Sequence, residues 1–280
     1  MLRCLIATII NLLIMARNNS FIRLEGTLDG LTFFRKNGAS FVKTKNRVSK
    51  NRILNDPAYK RTRENMREFG GAARTGKALR EGFSGIVHLI GDAYVTPRLT
   101  AIMRKICSLG TGLRGERVID VVSNVDLING YEFNTQKPFD TQFNAPSDLP
   151  EIDPDRTVVR WNILDFNTDT YVRAPEGATH FKLALAAGYT SNYEWVEATK
   201  SYEPVDEDVN GRGLVTYSAA IALGGMVGSD TLLEVDMTSF GAIPVTSAIF
   251  GATAIVFYQM VNGDYYELAQ GHAMKIAVGG

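Results

Sequence analysis

PAYKRTRENMREFGGAARTGKALREGFSGIVHLI, residues 57–90, is the stretch whose reading decides the fold. Asp56 ahead of Pro57 is a helix start, because the Asp side chain accepts free N–H groups of the first turn and proline at the first helical position gives up no bond. Tyr59, Met66 and Phe69 are the few large apolar groups of the first part. They share one narrow stripe, so most of the circumference faces water or charge. Gly70 and Gly71 are expected to end or kink this helix. Beyond them Ala72, Gly76, Leu79, Phe83, Ile86 and Ile90 recur at steps of three and four, which puts them on one helical face. A third helix is expected from Thr96-Pro97, with Leu99, Ile102, Met103, Ile106 and Leu109 as its buried stripe.

Upstream, FIRLEGTL, LTFFRK and ASFVKT read as three short strands joined at Asp29-Gly30 and Asn37-Gly38, the strongest short-range hairpin signals. Arg23, Arg35, Lys36, Lys43 and Lys45 make one face or edge of this meander basic. A sheet so small needs a helix packed on it, and the stripe from Ala72 to Ile90 is the expected cover. LEGTLDGLTFFRKNG followed by VSKNRILNDPAYKRTRENMREFGGAARTGKALREGF, roughly residues 20–90, resembles the front end of a family of uncharacterised bacterial proteins. The resemblance carries no assigned activity and implies no catalytic residues; it favours Met15 as the start of the protein.

Downstream, LGTGLRG at 109–115 is a boundary where the helical pattern and the basic excess both stop. Strand signals then dominate: TVVRWNIL, THFKLALAA, YEWVEAT, GLVTYSAAIAL, TLLEVDM, and a final pair, TAIVFYQMV and YYELAQGHAMKIAV, flanking Asn262-Gly263. The spacing is that of a β-sandwich. Residues 137–156, with Pro138, Pro146, Pro150 and Pro154, read as a long loop. The expected fold class is therefore α+β, a three-stranded meander with about three helices followed by an antiparallel β-sandwich. The expected divisions are an upstream or signal-like apolar segment at 1–15, a basic unit at 16–112, a linker with the first strand at 113–157, and an acidic sandwich at 158–280.

The 280 residues carry no net charge, with 30 Lys and Arg against 30 Asp and Glu. That balance conceals a split. Residues 16–117 hold 21 basic against 8 acidic residues, a net of +13, and residues 118–280 hold 8 against 22, a net of −14. Such a division points to an anionic partner for the front half, or to the acidic back half of a neighbouring copy. Cys4 and Cys107 are the only cysteines, which excludes a disulfide framework and a CxxC metal site. The opening MLRCLIATIINLLI is too short for a comfortable membrane span. The location follows from it: cytoplasmic if Met15 is the true start, exported if residues 1–14 are a signal.

The chemical motifs are incomplete. GAARTGK at 71–77 matches a phosphate loop, but Ala78 stands where the magnesium-binding hydroxyl belongs and a polar helix stands where a buried strand belongs. Asp165, Asn167, Asp169 and Glu176 occupy the first, third, fifth and twelfth positions of a calcium loop, with Thr170 replacing the turn glycine. Asp206, Asp208 and Asn210 start a second such pattern that ends on Tyr217. His88, His180 and His272 have no partner at metal-ligand spacing. No catalytic motif is complete, so the chain reads as non-enzymatic and without cofactor. Lys43, Lys45, Arg47, Lys50, Arg52, Lys60, Arg61, Arg63 and Arg67 lie within 25 residues and form the candidate surface for an anionic partner. The leading expectation is an interaction or assembly protein that binds an acidic protein surface, including its own as a homo-oligomer. Nucleic acid is the alternative partner of the same cations. A third reading is a carbohydrate-binding sandwich using Trp161, Tyr189, Tyr193, Trp195, Tyr202, Tyr265 and Tyr266.

Overall fold

A computed structural model describes residues 15–18, 24–36, 38–44 and 48–280. The apolar opening segment, residues 21–23 of the first expected strand, and Lys45 and Arg47 lie outside the described residues. The protein is α+β, and its contacts divide it into two compact units, residues 1–62 and 63–280.

In the first unit β1 (Met15–Arg17), β2 (Gly26–Leu28), β3 (Leu31–Lys36) and β4 (Ala39–Thr44) form one antiparallel sheet in the order β1-β4-β3-β2. β1, which pairs Met15 with Lys43, is a fourth strand beyond the three expected. Register gives the sheet two unlike faces, because cross-strand partners and alternate residues share a side. Leu28, Leu31, Phe33 and Val42 lie on one. On the other, Arg17, Lys36 and Lys43 surround Phe34 and Phe41, whose rings stack at 5.6 Å. None of the sheet residues whose exposure is described is buried. α1 (Lys50–Asn55) follows; the Ser49 hydroxyl caps it by accepting the Arg52 amide, and it too buries nothing. Asp56 accepts the Ala58 amide ahead of the next turn, as its place before Pro57 leads one to expect.

α2 (Lys60–Gly82) starts at the division between the units and runs without interruption through Gly70 and Gly71, where a break was expected. These glycines serve close approach instead. A Cβ on Gly71 would lie 2.5 Å from Cγ of Tyr202, and one on Gly82 would lie 3.1 Å from the Cα of Gly188. The break falls at Phe83, between α2 and α3 (Ser84–Ile90); α4 (Val95–Leu109) follows.

After the short α5 (Phe139–Gln142), the chain continues as β5 (Glu151–Ile152), β6 (Val158–Ile163), α6 (Thr168–Tyr171), β7 (His180–Ser191), β8 (Tyr193–Val196), β9 (Ser201–Pro204), β10 (Gly213–Tyr217), β11 (Ile221–Ala222), β12 (Thr231–Asp236), β13 (Ser247–Val261), β14 (Asp264–Glu267) and β15 (Ala273–Gly279). The principal sheet has the order β10-β7-β13-β14, with β11 on β7 and β15 on β13. A second sheet, β12-β6-β5, packs against one of its faces. Alternation along β7 and β13 serves two cores at once. Phe181, Leu183, Leu185, Ile255 and Phe257 meet Trp161, Leu233 and Val235 of the second sheet. Ala184, Ala186, Ala252 and Ala254 face the other way and receive Leu79, Phe83, Ile86, Leu99 and Met103.

The apolar helical stripe thus covers the sandwich, not the meander for which the sequence had nominated it. The small alanine face of β7 and β13 explains the choice, since it lets α2 approach as closely as its glycines permit. By contacts, α2 from Arg63 onward, α3 and α4 fall within residues 63–280. Among the described residues no helix is long and apolar enough to cross a membrane.

Candidate functional site

The seven described cations of the candidate surface have different environments. Lys43, Lys50, Lys60 and Arg61 are exposed. Lys43 lies over the Phe34 ring at 5.4 Å. Arg52 reaches the Asp56 carboxylate at 3.1 Å and covers the Tyr59 ring. Arg63 is half-buried. Arg67 donates to Glu116 at 2.6 Å and lies 4.5 Å from the Trp195 ring, so its charge is engaged within the second unit.

Sequence reasoning missed the densest ion-pair cluster among the described residues, which surrounds Glu68. This side chain is fully buried on the seemingly wet face of α2. One carboxylate oxygen accepts the Gly115 amide and Nε of Arg117, both at 2.8 Å; the other accepts Arg104 at 2.7 Å and Nη2 of Arg117 at 3.1 Å. Burial opposes ionisation, but the bonds from Arg117, Gly115 and Arg104 outweigh it and hold the group at about 2. The cluster ties α2 to α4 and to the 110–117 turn. Cys107 is buried beside it, and burial followed by the Glu68 charge pushes its thiol upward. The only hint in the sequence was the coincidence of one Glu with Arg104 and Arg117, which lie distant along the chain.

The calcium-like spacing has a structural use. Asp165 accepts the Gly228 amide at 2.8 Å, Asp169 accepts the Gly225 amide at 2.9 Å, and Asn167 caps α6 by accepting the Asp169 amide. The Asp165 amide in turn donates to Asp230 at 2.7 Å. These groups fasten the loop of residues 224–230; Glu176 stands exposed on the surface. Among the described residues no three His, Cys, Asp or Glu side chains gather as metal ligands. The phosphate-loop match lies in the middle of α2, where backbone N–H groups are consumed by the helix.

His272 is buried with its ring fully used: Nδ1 accepts the Phe257 amide at 3.1 Å and Nε2 donates to the Leu268 carbonyl at 2.6 Å. Burial lowers its pKa and keeps it neutral. Of the seven aromatics considered for sugar stacking, Trp161, Tyr189, Tyr193 and Tyr202 are core residues and Trp195 is half-buried under Arg67. Tyr265 and Tyr266 are exposed, but as successive residues of β14 they point to opposite faces. No protein family, curated protein or solved structure matches the chain.

Proposed function

We propose that the protein is a non-enzymatic assembly protein whose basic N-terminal unit docks on an acidic protein surface, a neighbouring copy's second unit being the nearest candidate. One observation carries the reading: a four-stranded sheet with an apolar face edged by Arg35 and a cationic face has no buried residue among those whose exposure is described. A small sheet gains its stability from the face it covers, so a sheet that covers nothing is completed by a partner. The second unit, with 18 basic against 27 acidic residues and a net of −9, supplies a surface of the opposite sign. Head-to-tail pairing of unlike patches closes into rings or runs into filaments.

Light scattering on the full chain tests this. The expected result is a particle larger than the monomer at low salt, a shift toward monomer as salt screens the charges, and loss of the larger species in the exposed-site double variant Lys50→Glu, Lys60→Glu. A monomer at every salt and every concentration overturns the proposal.

A second reading, single-stranded nucleic acid on the same sheet, is favoured by the arrangement of Arg17, Lys36 and Lys43 around the stacked Phe34 and Phe41. Cations that track phosphates beside rings that stack bases are what such ligands require. It predicts retardation of labelled single strands that falls steeply with salt. Unretarded strands at low salt remove it.

A further inference from the structure

The principal sheet and the β12-β6-β5 sheet approach each other along β10 and β12, yet these strands are not hydrogen-bonded partners. Both are edges. Along β10 the bonds from Tyr189 to the Arg212 carbonyl and from Ser218 to the Leu183 carbonyl set the phase, so Leu214 and Thr216 pair with β7. Gly213, Val215 and Tyr217 therefore turn their N–H and C=O groups away from the sheet. Along β12, the Asp148 amide takes the Asn162 carbonyl and the Met237 amide takes the Thr157 carbonyl. That phase leaves Leu232, Glu234 and Asp236 with outward backbone groups, since their partners on β6 face β5. None of these six outward sets has a backbone partner.

Between the edges lies an open cavity of about 620 Å³, lined among others by Thr216, Tyr217, Ala219, Ala220, Ser229 and Asp230. Ile221, Met226, Val227 and Leu232 add apolar wall to the small side chains, and the one ionisable group in the lining other than Tyr217 is the carboxylate of Asp230. The wall at residues 224–230 is held in place by Asp165, Thr168 and Asp169, which accept the amides of Gly228, Gly224 and Gly225. Glu234 and Asp236 project from the exposed face of β12, and Leu233 and Val235 point into the core.

We propose that this notch is a strand-acceptor site for an extended polypeptide segment of alternating apolar and basic residues. A strand laid along β12 meets the free N–H and C=O groups of Leu232 and Glu234, so its main chain supplies the hydrogen bonds. One set of its side chains enters the notch over Ala219 and Ala220, where small apolar groups fit. The alternate set stands beside Asp236 and Glu234; Arg160 of β6 already bonds Glu234 at 2.5 Å, so Asp236 is the carboxylate that favours lysine or arginine there and disfavours acidic residues. The site is independent of the N-terminal unit and of the assembly proposed above.

The test uses the full chain and a fluorescent octapeptide of alternating valine and lysine, read by polarisation, with amide hydrogen exchange to locate it. The expected result is saturable binding and slowed exchange within residues 213–217 and 231–236. Methylating alternate backbone nitrogens of the peptide should weaken binding about tenfold or more, since each lost hydrogen bond is worth up to about 1.5 kcal/mol. Replacing lysine by glutamate in the peptide should abolish it. In the protein, Val215→Pro removes an N–H that no ladder uses, and Ala219→Trp fills the notch from its rim; either should reduce binding while the far-ultraviolet spectrum stays unchanged. Failure of the valine-lysine peptide to bind, equal binding by its methylated form, or protection confined to other segments overturns the proposal. None of these outcomes depends on whether the chain assembles, which light scattering reports separately.

Discussion

The two units use the same kinds of residue to opposite ends. In the second, the large apolar groups of β7, and those of β13 up to Phe257, are buried in two cores that lie back to back, and even a glutamate on α2 is buried with four hydrogen bonds. In the first, Phe33, Phe34, Phe41 and Val42 are only half-buried and the cations stand at the surface. The difference teaches that hydrophobic alternation alone does not make a core. Burial needs a second layer, and the second unit has three: helices, principal sheet and second sheet.

The sharpest way to break this contrast is at the contact of α2 with β7. A Cβ on Gly188 would lie 2.9 Å from the Cα of Gly82, with backbone on both sides and no flexible side chain to yield. Gly188→Val should cost about 4 kcal/mol or more, or prevent folding, as read by chemical denaturation. Near-normal stability would mean that the close approach is dispensable.

Next comes Glu68→Gln, which leaves Arg104 and Arg117 facing a neutral group in a buried setting; about 3 kcal/mol should be lost. The pH dependence follows from the direction of the shift. A carboxyl that titrates near 2 in the folded chain and near 4.5 otherwise stabilises the fold above 4.5 and loses that contribution as pH falls toward 2. Denaturation curves of the wild type should therefore steepen in their acid dependence across that window, and those of the variant should not.

The smallest effect belongs to the first unit. Leu28 is 66% exposed, so Leu28→Ala should change the stability of the isolated chain by no more than about 0.5 kcal/mol. A loss well above that would reveal a covered face, and the contrast between the units would fail.

The strands of the second unit were legible because turn residues and β-branched runs alternate at short range, and the hairpins at Asn262-Gly263 and Asp29-Gly30 follow from two residues each. The helical stripe was legible as a face, but not its destination, since nothing local distinguishes the meander from β7 as its cover. Gly70 and Gly71 misled for the same reason: a glycine that ends a helix and one that admits Tyr202 look alike along the chain. For the candidate surface, residue type revealed the cations, and only three-dimensional contact separates exposed Lys60 from Arg67 bound to Glu116. The notch between β10 and β12 left no trace in composition, because its chemistry is that of the main chain.

The glycine seam of α2 also bears on the order of events when the chain is made. Gly70, Gly71, Gly76 and Gly82 all lie within this 23-residue helix, and each costs about 1 kcal/mol of helix propensity relative to alanine. Alone, such a segment is a poor helix. Its ring and backbone partners arrive late: Arg74 bonds the Tyr202 carbonyl across 128 positions. As the chain leaves the ribosome, α2 therefore waits, with its apolar stripe uncovered, until β7 to β9 have been synthesised. The slow step of folding should then be the docking of a preformed sheet onto a helix that forms only on contact, and the segment most in need of protection before that moment is 72–90.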